Sequence, residues 1–204
     1  MGSACSGKTT LINQFLEMWP NYTQSSKTYR DIIEGKKLTL NKEGSEESQR
    51  IILDALVEEI DLAVKNDVKD IVFDRCVIDN AVYSLWLYES KKVSQGFIID
   101  TKYKVRAAVE KYDVIFYLPR SADLPIENRE GREIDETYIQ EIDNLFGAVV
   151  KSYENNGNVF FPTENCPAVI TLNGPPDLRC KMIQLYLKND GTPYTEQDGS
   201  LIYN

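Results

Sequence analysis

Gly2-Ser3-Ala4-Cys5-Ser6-Gly7-Lys8-Thr9 places glycine, glycine, lysine and threonine at the four fixed positions of G-x-x-x-x-G-K-[ST], and Thr10-Leu11-Ile12 opens an amphipathic stretch directly behind it. That spacing serves the grip of a polyphosphate. Glycines let the backbone curl without Cβ clashes, so that its N–H groups point at phosphate oxygens, and a helix N-terminus adds positive potential. In a P-loop of this kind Gly2, Ser3, Cys5, Ser6, Gly7 and Thr10 line the phosphates. The Lys8 ammonium bridges the β- and γ-phosphates, and the Thr9 hydroxyl reaches Mg²⁺. ATP and Mg²⁺ are the cofactors this reading expects.

Phosphoryl transfer also needs a carboxylate facing the phosphates. Asp74 ends the apolar run Asp70 to Asp74 (DIVFD), and Arg75 follows it. The C-terminal end of a parallel strand is where α/β sheets present ligand-facing groups. An aspartate there can hold Mg²⁺ or take the proton of an attacking hydroxyl, and an adjacent arginine can hold an anion. It can equally cap the next helix. Asp79, one helical turn on, can bind a sugar hydroxyl or simply pair with solvent. Arg129 and Arg132, in N-R-E-G-R-E with Gly131 between them, could fold over a ligand. There they would meet charge developing on the moving phosphoryl and keep water out. The alternative is a solvated loop of alternating charge.

The elements that must position these groups are legible in the apolar spacing. Leu11, Ile12, Phe15 and Leu16 mark a helix over 8–18 that stops at Pro20. From about Ser45, with Glu46 and Glu47 favouring a helix start, Ile52, Leu56, Ile60 and Ala63 line a long helix. DIVFD reads as a buried strand, Val77 to Tyr88 as a helix, a further helix surrounds Tyr103 to Tyr112, and Val114 to Leu118 (VIFYL) is a second strand. Residues 119–135 are polar, hold two prolines, and should form a long lid loop. Tyr138, Ile142, Leu145, Val149 and Tyr153 continue a helical stripe. Ala168 to Leu172 (AVITL) is a last strand, and a terminal helix follows through Leu178, Met182 and Leu185. Strand–helix alternation implies an α/β fold with a parallel sheet covered on both faces, a three-layer P-loop architecture in a single domain over 1–204.

A P-loop should follow a strand, yet only Met1 precedes Gly2. The expectation is a chain shortened at its start, or another segment completing that side of the sheet.

Composition narrows the chemistry. With 23 Lys and Arg against 32 Asp and Glu the net charge is −9, which makes duplex DNA an unlikely partner. The chain has no histidine, so Ser-His-Asp catalysis and histidine-ligated zinc are excluded, and proton transfer falls to carboxylates or lysine. The four cysteines, Cys5, Cys76, Cys166 and Cys180, form no CxxC pair, and no leader or spanning apolar run is found. A cytoplasmic protein with reduced thiols and no membrane partner is the expectation.

GSACSGKTTL, KTYRDIIEGK, FDRCVIDNAVY and the charged lid before a helix together resemble the small P-loop AAA-domain ATPases common in bacteriophages. That group is similar to the ribosylnicotinamide kinase domain and, more distantly, to nucleoside and nucleotide kinases. The resemblance spans most of residues 2–185. It implies a nucleotide-kinase-like fold in which Gly7, Lys8, Thr9 and Thr10 hold ATP, Asp74 and Arg75 form the Asp-Arg pair, and Arg129 and Arg132 act from the lid. It also places Arg30 at the acceptor and Asn173-Gly174-Pro175 beside the adenine. The departures are the absent first strand and Cys76, where deoxynucleoside kinases usually carry serine.

Tyr22, Tyr29, Tyr83, Trp86 and Tyr88 suggest an aromatic flank between the sheet edge and an acceptor cleft, on which a base could stack, or aromatic core packing. Tyr29 and Tyr83 are the candidate substrate contacts. The leading expectation is an ATP- and Mg²⁺-dependent phosphotransferase acting on a nucleoside, nucleotide or related hydroxyl acceptor, as a possible homodimer. The alternatives are an ATP-hydrolysing switch or interaction module, a kinase of a modified base in phage DNA, and a nucleotide-binding relic.

Overall fold

The computed structural model describes residues 1–26, 29–34, 38–121, 124, 135–155, 157 and 159–194, with Tyr29 and Arg30 described in their backbone alone. Among these, four short strands alternate with seven helices. In chain order they are α1 (Lys8–Met18), β1 (Thr23–Gln24), α2 (Tyr29–Glu34), α3 (Glu46–Lys65), β2 (Ile71–Val72), α4 (Val77–Glu89), α5 (Gln95–Val109), β3 (Val114–Tyr117), α6 (Glu136–Glu154), β4 (Ala168–Thr171) and α7 (Pro176–Ile183).

Local chemistry sets the long helices. The Ser45 hydroxyl accepts the Ser48 N–H at 3.2 Å and Glu46 and Glu47 occupy the first turn of α3, satisfying an orphan amide and meeting the positive helix end. Asp135 caps α6 in the same way, accepting the Tyr138 N–H at 3.0 Å.

The strands form two parallel pairs, Thr23 beside Ile71 in one and Val114 beside Ala168 in the other. The strands are parallel, as the alternation of elements implied, and β2 and β3 are not hydrogen-bonded to each other. Alternation along β3 feeds two cores. Ile115 and Tyr117 pack with α3, α4, α5 and α6, where Val77, Ala81, Val105 and Phe146 are wholly buried. Val114 and Phe116 pack on the other face with Leu11 and Phe15 of α1 and Ile183 of α7. Two helical layers thus sandwich the strands, as an α/β chain requires.

Two expectations need correction. The fifth helix begins at Gln95, well before the apolar stretch that announced it, because Ser94 accepts the Phe97 N–H at 3.2 Å and starts it there. The terminal helix buries Arg179, Cys180 and Ile183, while Leu178 and Leu185 face solvent, so the stripe assigned to it is rotated. Most of the expected lid loop lies outside the described residues.

Candidate functional site

The segment from Gly2 to Gly7 runs from Met1, which hydrogen-bonds beside the end of β3, into α1, and its glycines are placed where other residues would be strained or would clash. Gly2 has φ 151°, and a Cβ there would come within 2.5 Å of the Leu118 carbonyl oxygen. Gly7 stands at the helix N-cap in the left-handed region, φ 87°, a position that favours glycine. No side chain caps α1, and Thr9 and Thr10 are exposed on its first turn, where backbone donors remain for an anion. The Lys8 ammonium donates to the Gly2 carbonyl at 2.8 Å, the Ser3 carbonyl at 2.6 Å and Ser6 Oγ at 3.3 Å. Its charge therefore lies within the curl of the loop. Cys5 takes a positive φ of 58°, and Ser3 and Ser6 are buried.

Three other elements fasten this loop. From α4, the buried Asp79 carboxylate accepts the Gly2 N–H at 3.2 Å through Oδ1 and the Cys76 N–H at 3.0 Å through Oδ2. From α6, Asp143 Oδ1 accepts the Ser3 hydroxyl at 2.7 Å and the Arg120 N–H at 3.1 Å. From α7, Arg179, 1% exposed, donates to three carbonyls: Gly174 through Nε at 3.0 Å, Pro119 through Nη2 at 2.8 Å, and Ser6 through Nη1. Sequence reasoning missed Asp143 and Arg179. No spacing announced them, because each contacts residues far away in the chain.

Asp74 sits half-buried past the end of β2, and Lys8, Asp74 and Arg75 line a common cavity. Arg75 has φ 84°, a strained conformation for a residue with a Cβ. It turns the guanidinium to 3.9 Å from Asp79 Oδ1 and 5.8 Å from the Tyr83 ring centre. Burial alone would raise the Asp79 pKa, but the Met1 ammonium, Arg75 and Lys8 outweigh it and hold the carboxyl below its ordinary range. Asp79 is thus a charged internal anchor, with both oxygens given to backbone. Burial pushes the Cys76 thiol up to about 12, so this residue is a neutral thiol at the start of α4. Burial likewise raises Tyr83, against the opposing effect of Arg75.

Several candidates lie apart or beyond description. Arg129 and Arg132 are outside the described residues, as are the side chains of Tyr29 and Arg30, whose backbone forms the first turn of α2. Gly174 and Pro175 are exposed just before α7, joined to the phosphate loop through Arg179. The proposed aromatic flank is not one surface. Tyr22 packs at 4.9 Å against Phe15 on the α1 face, whereas Tyr83 and Trp86 pack with Phe146 and Tyr138 on the other. For Mg²⁺ the donors present fit: a hydroxyl at Thr9 and a carboxylate at Asp74 are hard oxygen ligands, and Mg²⁺ characteristically takes only one or two from protein, the rest from phosphate and water. No cluster of three acidic, cysteine or histidine residues suited to a metal occurs among the described residues. No helix among them is long and apolar enough to cross a membrane.

Comparison with known proteins agrees with this architecture. The chain superposes on the structure of a deoxyadenosine kinase from M. mycoides, solved with the products dCMP and a flexible dCDP. The TM-score is 0.67 over 91% of this chain and 95% of that one, at 18% sequence identity, a likeness of fold. No curated protein matches by sequence. A family model described as an AAA domain matches residues 1–160, which hold the phosphate loop, Asp74 and the Arg75–Asp79 pair. By that match, the chain belongs to this AAA-domain family and carries its P-loop on a deoxyadenosine-kinase-like fold.

Proposed function

We propose that the protein is an ATP- and Mg²⁺-dependent phosphotransferase whose acceptor is the hydroxyl of a nucleoside or nucleotide. The observation that carries this reading is the Lys8 ammonium seated within the curl of Gly2–Gly7 at the uncapped start of α1, with Asp74 and Arg75 directly after β2. Lys8 and the first turn of α1 hold the polyphosphate, while Asp74 accepts the acceptor's proton and aims its oxygen at the γ-phosphorus. Thr9 and Asp74 would hold Mg²⁺, which would supply charge neutralisation for the phosphates. Arg75, fixed by Asp79, offers a cation to an anionic acceptor or to the transferring group. In this reading Arg129 and Arg132 serve as lid cations, Tyr29, Arg30 and Tyr83 contact the acceptor, and Gly174-Pro175 borders the base. The deoxyadenosine kinase likeness supports a nucleoside-type acceptor.

The test is transfer of labelled γ-phosphate from ATP to a panel of nucleosides and nucleotides. Asp74→Asn should lower kcat by about 10²–10⁴-fold, the range for loss of a general base, with binding of ATP in the absence of Mg²⁺ retained. Hydrolysis of ATP without transfer to any acceptor would overturn the reading in favour of a switch.

A further inference from the structure

The peptide joining Pro119 to Arg120, just past the end of β3, is held at both of its polar groups. Its carbonyl accepts from Arg179 Nη2 at 2.8 Å, and its N–H donates to Asp143 Oδ1 at 3.1 Å. Each of those partners also grips the phosphate loop. Arg179 donates to the Ser6 carbonyl, and Asp143 accepts the Ser3 hydroxyl at 2.7 Å through the same oxygen. The Leu124 N–H then donates to the Ser121 carbonyl at 3.1 Å, and Leu124 Cδ1 lies 3.6 Å from where a Cβ on Gly7 would stand. The backbone at Arg120 is therefore fixed against both sides of the loop before any ligand arrives.

Its side chain has no such anchor. Arg120 is half-buried, and its Nε is closed to solvent without a hydrogen-bond partner among the described residues. Buried donors are normally paired, so an unpaired one calls for a partner that the protein itself does not supply. Asp143 does not fill that place: its Oδ1 already takes two donors, and its charge acts on Arg179, whose protonated form it favours against the effect of burial. Lys8 shows which end of the loop is involved. A lysine of this motif serves the β- and γ-phosphates, and its ammonium here rests on the Gly2 and Ser3 carbonyls, while the helix start beyond Gly7 faces the other end of the polyphosphate. Ser3 thus marks the γ side, and Arg120 shares an Asp143 oxygen with it.

We propose that Arg120, positioned by Asp143, is a cation for the γ-phosphate and lets the site tell a nucleoside triphosphate from a diphosphate. Its planar fork of donors suits phosphate oxygens, and it adds to Lys8 a contact that a diphosphate cannot make. This inference rests on the polyphosphate-binding half of the function proposed above, and not on transfer to an acceptor.

The test is calorimetric binding of a non-hydrolysable ATP analogue and of ADP to the full chain, with melting midpoints taken without nucleotide. Arg120→Met should weaken the analogue by at least about tenfold and ADP by no more than about threefold, as loss of charge-assisted hydrogen bonds to one phosphate requires. Arg120→Lys keeps the charge without the fork and should recover part of the discrimination. Asp143→Ala should reproduce the selective loss and add little to Arg120→Met, whereas Asp143→Asn, which retains the accepting oxygen, should stay closer to wild type. Equal losses for the two nucleotides, no loss, or a lowered melting midpoint with an unchanged ratio of affinities would overturn the proposal. A wild-type chain that binds neither nucleotide would instead remove the polyphosphate reading itself, and the proposal with it.

Discussion

Asp79 shows how one buried carboxylate can serve a site without facing the ligand. Its charge is sustained by the Met1 ammonium, Arg75 and Lys8, and its two oxygens fix the backbone of Gly2 and Cys76. Because its folded pKa is depressed, its contribution to stability is fully present above the unfolded carboxylate value of about 4. It is lost as the pH falls below that value and through the folded pKa. Asp79→Asn should therefore cost about 1–3 kcal/mol at neutral pH, from the lost charge and the mismatched amide. It should also flatten the acid limb of a stability–pH profile measured by urea unfolding. An unchanged acid limb would show that the charge of Asp79 contributes nothing. In the sequence this residue was visible as a carboxylate near Asp74, but a role in sugar binding was one of two readings open to it. Burial and the approach of Gly2, 77 residues away in the chain, are what distinguish an anchor from a contact.

At the scale of elements, the helices that announced themselves did so through both spacing and caps. The start of α3 at Ser45 is one: serine followed by two glutamates before an apolar stripe is a local signal with a local cause. Ser45→Ala should lower stability by about 1 kcal/mol, read as a shifted denaturant midpoint, with nucleotide binding unaltered because α3 begins away from the phosphate loop. By contrast, β1 and α2 went unread. Two residues of strand and six of helix carry too little periodicity to stand out, and β1 exists through its pairing with β2. The misassigned face of α7 has the same origin. Leucines at helical spacing normally mark the core, but here the buried position goes to an arginine whose charge is satisfied by three carbonyls. Nothing in the local sequence reveals those carbonyls.

For the molecule as a whole, the phosphate loop was legible from eight consecutive residues, while the framework that holds it is distributed over the chain. Arg179 is the clearest instance, since one guanidinium joins the loop at Ser6, the strand end at Pro119 and the turn at Gly174. Arg179→Met keeps much of the volume and removes the donors, leaving buried carbonyls without partners. It should destabilise the protein by about 2–5 kcal/mol and weaken Mg-ATP binding as measured by calorimetry. Loss of stability with undiminished ATP affinity would separate the scaffold role from the binding role.

That clasp also fixes an order of events during biosynthesis. The glycines and lysine of the phosphate grip are translated about 170 residues before the guanidinium that ties them to Pro119 and Gly174. On the ribosome, a fully clasped nucleotide pocket therefore forms only after Arg179 has emerged, however early its motif does.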